Sequence, residues 1–314
     1  MHDNKLLEDM KQAVGQLLFE KEQETELMLT ALVAGGHVLL EDVPGTGKTL
    51  LAKTMAAVID AEFSRIQFTP DVLPGDVTGI RFFNMKTQEF EYREGPVMTN
   101  ILLADEINRA TPRTQSSLLE AMEEGQATVD GETHLLPELF FVIATQNPIE
   151  SAQGTFDLPE AQMDRFLMRI RPGYPTKEGE RAMIRTYMHG RPAVPERAAT
   201  VGQVLEIRKQ ALQVAVNEAV ENYLLAVVRS TREHMDIETG ASPRGTIALM
   251  RAVQARAFLR GRNYAVPDDV RALAVPVLAH RIVLSVEASM RKTADETMEE
   301  LLDRIEVPVE ASPQ

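Results

Sequence analysis

The chain has 314 residues, enough for two domains, and its net charge of −14 argues against non-specific nucleic-acid binding, which depends on neutralising phosphates. Without cysteine it can form neither a disulfide framework nor a cysteine metal site, and no apolar run approaches the roughly 20 residues of a membrane helix. The first residues lack the basic and apolar segments of a signal peptide, so we expect a cytoplasmic protein.

The first 174 residues predict an alternation of helices and strands. Residues 1–36 have a helical pattern that ends at Gly35 and Gly36. Strand-like apolar runs follow at residues 37–40, 63–68, 101–104 and 139–144, with helical stretches between them. Alternating strands and helices with continuous apolar strands predict an α/β fold, in which a parallel sheet is covered by helices on both faces.

Two inserts and a change of periodicity complete the predicted organisation. Residues 79–94 and 126–136 each predict a strand, a turn and a second strand, and the latter turns at Asp130-Gly131. From Thr176 onward the 3.6-residue period of helices dominates, and the chain ends in an acidic tail. We therefore predict an αβα core over residues 1–174, with the two hairpins inserted, and a helical domain over residues 175–314.

The stretch HVLLEDVPGTGKTLLAK, residues 37–53, has the strand, glycine-rich loop and helix of a phosphate-binding loop. Asp42 stands where the strict GxxxxGK[ST] pattern has its first glycine. Lys48 would bridge the β- and γ-phosphates, and the Thr49 hydroxyl would bind Mg²⁺. The alternative is a glycine-rich turn with an accidental lysine. The predicted phosphate-binding residues are Pro44, Gly45, Thr46, Gly47, Lys48, Thr49 and Leu50.

A pair of acidic residues ends the apolar run in ILLADEINRATP, at residues 101–112. Ligands bind at the carboxyl ends of strands in open α/β sheets. We assign Asp105 to the Mg²⁺ shell and Glu106 to polarising the attacking water. By itself this pattern fits an ordinary strand end equally well or better, but the phosphate loop upstream favours the acid pair.

Asn147 follows the apolar run FFVIATQ, where its amide could hold the lytic water or the γ-phosphate. Its alternative is a turn residue before Pro148. Arg165, in LPEAQMDRF, lies near the end of a short helix begun by Pro159. Arginine stabilises a transferring phosphoryl group, often from a second subunit. The alternative for Arg165 is a surface salt bridge with a residue such as Asp164.

Arg244 occupies the first turn of a helix that begins in GASPRGTIALMRA. Ser242 is the expected N-cap and Pro243 the first helical residue. A cation there opposes the helix dipole, which suggests that Arg244 is directed at an anion. A solvated arginine is the alternative.

Together these segments resemble the AAA+ ATPases, and more narrowly the MoxR family. The resemblance is dense over residues 37–171, through motifs such as ADEINRATPRTQSSLLEAMEE and ATQNP, and thinner over residues 240–270. It implies that Lys48 and Thr49 belong to the Walker A loop, that Asp105 and Glu106 form the Walker B pair, and that Asn147 is sensor 1. It also implies that residues 79–94 are the helix-2 insert and residues 126–136 the pre-sensor hairpin.

The resemblance also implies how subunits share a site. Arg165 is similar to the arginine finger that acts on a neighbouring subunit's nucleotide, and Arg244 to sensor 2 of the helical lid, which we expect to serve its own subunit. The implied ligands are ATP and Mg²⁺. The implied assembly is a homo-oligomeric ring, usually a hexamer, that remodels or matures a protein partner, often one with a von Willebrand factor A domain. Asp42 and Glu20 depart from the family pattern, and Glu20 leaves the adenine contact open.

Three functions compete. The first is an ATP-driven ring that remodels a protein, the second a nucleotide-dependent switch or scaffold with little turnover, and the third a DNA-directed motor. Intact Glu106, Asn147 and Arg165 favour the first, whereas the acidic charge balance weighs against the third. The six histidines show no helical i, i+4 pair, so we do not expect them to bind a metal.

Overall fold

The computed structural model of the chain describes residues 2–15, 22–41, 47–147, 155–174, 176–188, 190 and 195–308. Of the predicted phosphate loop, Pro44, Gly45 and Thr46 lie outside the described residues, as does the neighbouring Asp42. Glu20 and the end of the acidic tail also lie outside them.

The core is a five-stranded parallel sheet in the order β2-β5-β8-β1-β9. Its strands are β1 (Val38–Glu41), β2 (Phe63–Gln67), β5 (Ile101–Asp105), β8 (Phe141–Gln146) and β9 (Met168–Ile170). The three central strands are almost wholly buried because their residues are apolar on both faces. The predicted α/β fold and four predicted strands are therefore confirmed, whereas β9, only three residues long, was not predicted.

Helices cover the sheet on both faces. They are α1 (His2–Gly15), α2 (Glu22–Ala34), α3 (Lys48–Val58), α4 (Pro74–Thr78), α5 (Pro112–Glu124) and α6 (Glu160–Met163). The helix α5 begins where the Thr111 side chain accepts a hydrogen bond from the Thr114 N–H, and it ends at Gly125, whose φ of +63° is left-handed. Helix α2 ends, as predicted, at Gly35.

Both predicted hairpins are present. The first consists of β3 (Gly79–Asn84) and β4 (Glu89–Glu94), and the second of β6 (Gln126–Val129) and β7 (Glu132–Leu135). The two hairpins contact each other through two pairs of residues. The rings of Tyr92 and His134 stack with centroids 3.7 Å apart, and Arg81 Nη1 lies 2.7 Å from Glu132 Oε1.

The rest of the chain is mainly helical, as predicted. Its elements are α7 (Lys177–Tyr187), α8 (Val201–Ala211), α9 (Glu218–Glu233), α10 (Pro243–Leu259), α11 (Pro267–Leu278), α12 (Val286–Ser289) and α13 (Ala294–Arg304), with a small antiparallel pair of β10 (Ile237–Thr239) and β11 (Val283–Leu284). The β10–β11 pair was not predicted. Among the described residues, no helix is long and apolar enough to cross a membrane.

The direction of α10 decides where its first turn lies. We call the end of the sheet where the parallel strands begin its amino edge, and the opposite end its carboxyl edge. Helix α10 packs on α2. Its last turn lies near the start of α2, where Arg260 Nε is 2.7 Å from Glu26 Oε1. Its first turn shares a cavity with Gly35 and Gly36, which lead into β1. Helix α10 therefore begins at the amino edge.

Candidate functional site

The start of α3, at the carboxyl edge, fits a phosphate group. Gly47 precedes α3 with a left-handed φ of +86° and offers no side-chain acceptor to the N–H groups of the first turn. That turn contains Lys48 and Thr49 and no acidic residue. A helix N-terminus with a lysine and without a side-chain cap is a suitable anion site.

Asp105 ends β5 at the same edge, and both oxygens of its carboxylate accept hydrogen bonds. Thr145 Oγ1 donates to Oδ1 over 2.7 Å, and Arg65 Nη2 donates to Oδ2 over 2.6 Å. The Thr145 hydroxyl also accepts the backbone N–H of Glu106 over 2.9 Å. One buried hydroxyl on β8 therefore fixes both members of the acid pair.

Glu106 has a left-handed backbone, with φ of +57° and ψ of +49°. Such a conformation is uncommon for a residue other than glycine and carries strain, which concentrates at functional sites. The Glu106 carboxylate pairs with Arg109, whose Nε lies 2.9 Å from Oε2. The backbone turn directs the chain away from the sheet at the point where a catalytic base is predicted.

The predicted nucleotide residues meet at one edge because of the strand order. Asn147, almost fully buried, follows β8, and β8 lies between β1 and β5. With strands about 4.8 Å apart, Glu41 at the end of β1 and Asp105 at the end of β5 are separated by about 10 Å across the sheet, which a triphosphate with its metal can span. The Thr49 hydroxyl and the Asp105 carboxylate are oxygen ligands of the kind that Mg²⁺ prefers. These residues therefore fit ATP and Mg²⁺.

Arg165 and Arg244 meet at the other edge of the sheet. Arg165 Nη1 lies 2.6 Å from Glu123 Oε2 and 2.9 Å from the Leu119 carbonyl oxygen. Arg244 Nη2 contacts the second oxygen of the same Glu123 carboxylate. The amino-edge position follows from the chain, because Arg165 precedes β9 and Glu123 lies in the last turn of α5.

An open cavity of about 200 Å³ surrounds this pair. Its charged lining consists of Glu123, Asp164, Arg165, Arg244, Arg251 and Arg281. Four arginines against two carboxylates leave an excess of positive charge, which suits an anion that approaches from outside the chain.

Asp164 anchors the helical domain to the core and does not pair with Arg165. Its Oδ1 accepts from Arg281 Nε over 2.6 Å, and its Oδ2 accepts from the Ser242 hydroxyl over 3.1 Å. The side chain of Arg281 is only 2% exposed, and this burial lowers its pKa, against the effect of the Asp164 carboxylate. The alternative of a salt bridge at Arg165 is observed, but its partner is Glu123 and not Asp164, which pairs with Arg281.

His37 fixes the end of α5 at the amino edge. Its Nδ1 accepts the Val142 N–H over 3.1 Å, and its Nε2 lies 3.2 Å from the Met122 carbonyl oxygen, to which it donates in the neutral form. Burial lowers the pKa of His37 to about 4. We assign it a structural role.

The structure places Lys48, Asp105, Glu106 and Asn147 at the carboxyl edge and Arg165 and Arg244 at the amino edge. Arg244 therefore lies at the edge of the sheet opposite to the predicted phosphate site of the same chain, whereas we expected it to serve that site. The reason is the antiparallel packing of α10 on α2, which a local sequence pattern does not show.

Sequence reasoning missed Arg65, Thr145 and Glu123. The contact of Arg65 with Asp105 depends on β2 lying beside β5, and the sequence predicted the two strands but not their order in the sheet. Thr145 lies two residues before Asn147 in a run otherwise read only for burial. Glu123 belongs to the exposed face of an amphipathic helix and carries no distinguishing local signal.

Comparison with known proteins agrees with this architecture. Residues 37–168 match the family described as "ATPase family associated with various cellular activities (AAA)", and residues 229–301 match the AAA lid domain. These ranges lie on either side of the predicted domain boundary, which itself stays a prediction.

Relatives match over most of the chain. Chaperone MoxR1 of Mycobacterium tuberculosis is 41% identical over 96% of this chain and 82% of its own length. The uncharacterised protein YeaC of Bacillus subtilis is 46% identical, with 95% and 94% covered. The crystal structure of a candidate ATPase from Cytophaga hutchinsonii superimposes with a TM-score of 0.90 at 36% identity, covering 98% of this chain and 96% of that chain.

Proposed function

The chain belongs to the MoxR family of AAA ATPases, and we propose that it hydrolyses ATP between the subunits of a ring in order to remodel or mature a partner protein. The observation that supports this function most directly is the position of Arg165 and Arg244. They lie at the edge of the sheet opposite to Lys48 and Asp105. Arginines that cannot serve their own subunit's nucleotide are available to that of a neighbour.

Each subunit would supply the nucleotide site at its carboxyl edge. The predicted loop residues Pro44 to Leu50 would bind the phosphates, with Lys48 between the β- and γ-phosphates. Thr49 and Asp105 would hold Mg²⁺, which when bound draws charge from the phosphate oxygens. Glu106 would accept a proton from the attacking water, and Asn147 would position that water.

Each subunit would supply the two arginines to the next one. An interface between the amino edge of one subunit and the carboxyl edge of another joins two different surfaces, and such an interface forms a closed ring when its rotation closes. The positive excess around Arg165 and Arg244 complements the triphosphate that it would meet. We propose six subunits, as the family resemblance implies. We also propose that Arg244 acts on the neighbouring subunit, in place of the same-subunit contact first expected.

The remodelled partner would meet the hairpins. Phe83, Met85 and Phe90 are exposed on the β3–β4 hairpin, where they offer apolar contacts to a protein client. The name of the relative MoxR1 identifies it as a chaperone, and we propose a chaperone-like role here, with a von Willebrand factor A domain protein as one candidate client. A cytoplasmic location, where ATP is available, belongs to the same proposal.

The test is the ATPase rate per subunit as a function of protein concentration, with and without added Arg165→Ala subunits. The rate should rise with concentration, and the added variant should depress it more than dilution alone would. Arg229→Ala is the matched control, since Arg229 forms an exposed pair with Glu233 on helix α9 and does not line the cavity around Arg165 and Arg244.

The nucleotide-dependent switch makes the opposite prediction. A very low rate that neither depends on concentration nor responds to Arg165→Ala subunits would favour the switch and contradict the ring. Glu106→Gln provides an independent measurement, because it should bind ATP without turnover and accumulate as the assembled ring in light scattering.

A further inference from the structure

Asp105, the proposed Mg²⁺ ligand, forms a salt bridge with an arginine of its own chain. Arg65 Nη2 lies 2.6 Å from its Oδ2, and the Thr145 hydroxyl lies 2.7 Å from its Oδ1. Both carboxylate oxygens therefore have donors from this chain. The two donors differ in kind, because a hydroxyl still has lone pairs and no net charge, whereas a guanidinium is a fixed positive charge without an acceptor.

The sheet register places Arg65 beside a second partner, so its side chain can move away from the Asp105 carboxylate. Gln67 lies opposite Asp105 and Arg65 opposite Leu103, so the Arg65 side chain extends along the strand to reach the carboxylate. Arg65 Nη2 also lies 2.7 Å from Gln67 Oε1, on the same face of β2. Gln67 therefore gives Arg65 a partner that it keeps after it releases Asp105.

The exposure of the Arg65 side chain indicates that surrounding packing does not hold it against Asp105. The Arg65 side chain is 44% exposed and that of Asp105 16% exposed. Pairs open to solvent contribute little to folding stability, because water screens them and compensates their loss. We therefore expect the fold to persist when the Arg65–Asp105 contact breaks, because water can solvate the exposed guanidinium and Thr145 still donates to the carboxylate.

Arg65 and Mg²⁺ compete for one carboxylate. Mg²⁺ binds carboxylate oxygens at about 2.1 Å and repels a guanidinium held against the same group. We propose that Arg65 occupies the metal side of the Asp105 carboxylate while the site is empty, leaves it when Mg²⁺ arrives, and thereby sets the Mg²⁺ concentration at which the site loads. This inference rests on the proposed nucleotide site.

The proposal predicts the direction in which a substitution of Arg65 changes the affinity for Mg²⁺. Removing the charge of Arg65 frees the Asp105 oxygen and makes the local potential more negative, so Mg²⁺ should bind more tightly. A residue that merely supported the fold would leave Mg²⁺ binding unchanged or weaken it. Tighter metal binding in a variant is therefore the signature of competition.

The experiment measures binding without turnover. Mg²⁺ is titrated into the full chain with a fluorescent ATP analogue, and bound Mn²⁺ is counted in parallel by electron paramagnetic resonance. Arg65→Met and Arg65→Gln should lower the half-saturating metal concentration about tenfold, as expected for a unit charge next to a divalent ion. Arg65→Lys should fall between them and the wild type, and the difference should shrink in high salt.

Arg197→Met is the matched control, because it removes the same charge from an exposed arginine that pairs with Asp60 and does not contact Asp105. It should bind metal as the wild type does. Unchanged or weaker binding in folded Arg65→Met and Arg65→Gln, checked by thermal melting, would overturn the competition while the nucleotide site stands. A wild type without any metal-dependent nucleotide binding would overturn the proposed function and this inference with it.

Discussion

Arg165 donates through Nη1 to Oε2 of Glu123 over 2.6 Å, at the edge of the sheet where the strands begin. Glu123 lies in the last turn of helix α5, and this helix starts shortly after Asp105 and Glu106 at the opposite edge. Arg244 contacts the same carboxylate. A single residue of the core therefore contacts two arginines, one from the core and one from the helical domain, at the edge opposite to the proposed phosphate site.

The first prediction separates action within a subunit from action between subunits. Lys48→Ala removes the lysine that we propose binds phosphate, and Arg244→Ala removes the arginine that we propose acts on the neighbour, so each variant alone should be nearly inactive. If Arg244 serves the neighbour, mixing them should restore activity, because a Lys48→Ala subunit can offer its Arg244 to an Arg244→Ala subunit. With random mixing at equal amounts, about a quarter of the interfaces should be complete.

Two controls make this mixing experiment decisive. A mixture of Lys48→Ala and Arg165→Ala should recover ATPase activity in the same way, since Arg165 and Arg244 both contact Glu123. Lys48→Ala mixed with Glu106→Gln should stay inactive, because both of these residues belong to one site. Recovery with Arg165→Ala and none with Arg244→Ala would return Arg244 to its own subunit.

The second prediction concerns Thr145, whose hydroxyl contacts both members of the acid pair. Thr145→Val keeps the shape and removes the hydroxyl, which leaves the Glu106 N–H without its acceptor. We expect a loss of about 1–3 kcal/mol in the free energy of unfolding. The ATPase kcat should fall at least about tenfold, because a misplaced base and metal ligand stabilise the transition state poorly.

Thr145→Ser is the matched variant, since it restores the hydroxyl at the cost of one methyl group. It should recover most of the kcat while remaining slightly less stable than the wild type. A serine variant as slow as the valine variant would show that packing of the methyl group, and not the hydroxyl, matters at this position.

The third prediction concerns the anchor between Asp164 and Arg281. Asp164→Asn removes the charge that compensates a buried guanidinium, which costs about 3 kcal/mol or somewhat less, because backbone carbonyls also accept from Arg281. Urea unfolding measures this loss, and hydrogen exchange should increase in the first turn of α10. Asp60→Asn, which breaks an exposed pair, should change stability by less than about 0.5 kcal/mol.

Long apolar runs made the central strands predictable, because β1, β5 and β8 are buried on both faces and need no alternation. Strand β9 is too short to produce a pattern, and its pairing with β1 depends on the completed sheet. The side chains that follow the strands were predicted to share an edge, because parallel strands end together.

The partners of charged residues were not predictable from local sequence. Arg165 could not be assigned to Glu123, which is 42 residues earlier in the chain, because that contact requires α5 to return to the amino edge. The position of Arg244 depends in the same way on how α10 packs against α2. Strand ends are fixed by local patterns and topology, whereas long side chains find partners through tertiary packing.

The fourth prediction is a pH dependence of stability that arises at His37. Burial lowers the pKa of His37 to about 4 in the folded protein, below the value of about 6.5 in an unfolded chain. The folded state therefore binds fewer protons than the unfolded state between these values. The contribution of His37 to stability is present above pH 6.5 and is lost as the pH falls towards 4.

The expected size follows from the two pKa values. Between pH 7 and pH 5 the wild type should lose about 2 kcal/mol of unfolding free energy through His37. His37→Gln cannot take up this proton, so its loss over the same range should be smaller by that amount. Ile143→Val, a mild change in the neighbouring strand β8, should keep the wild-type pH dependence. Equal slopes for His37→Gln and the wild type in urea unfolding at both pH values would show that His37 is not protonated on unfolding, since any other titrating group is common to the two proteins.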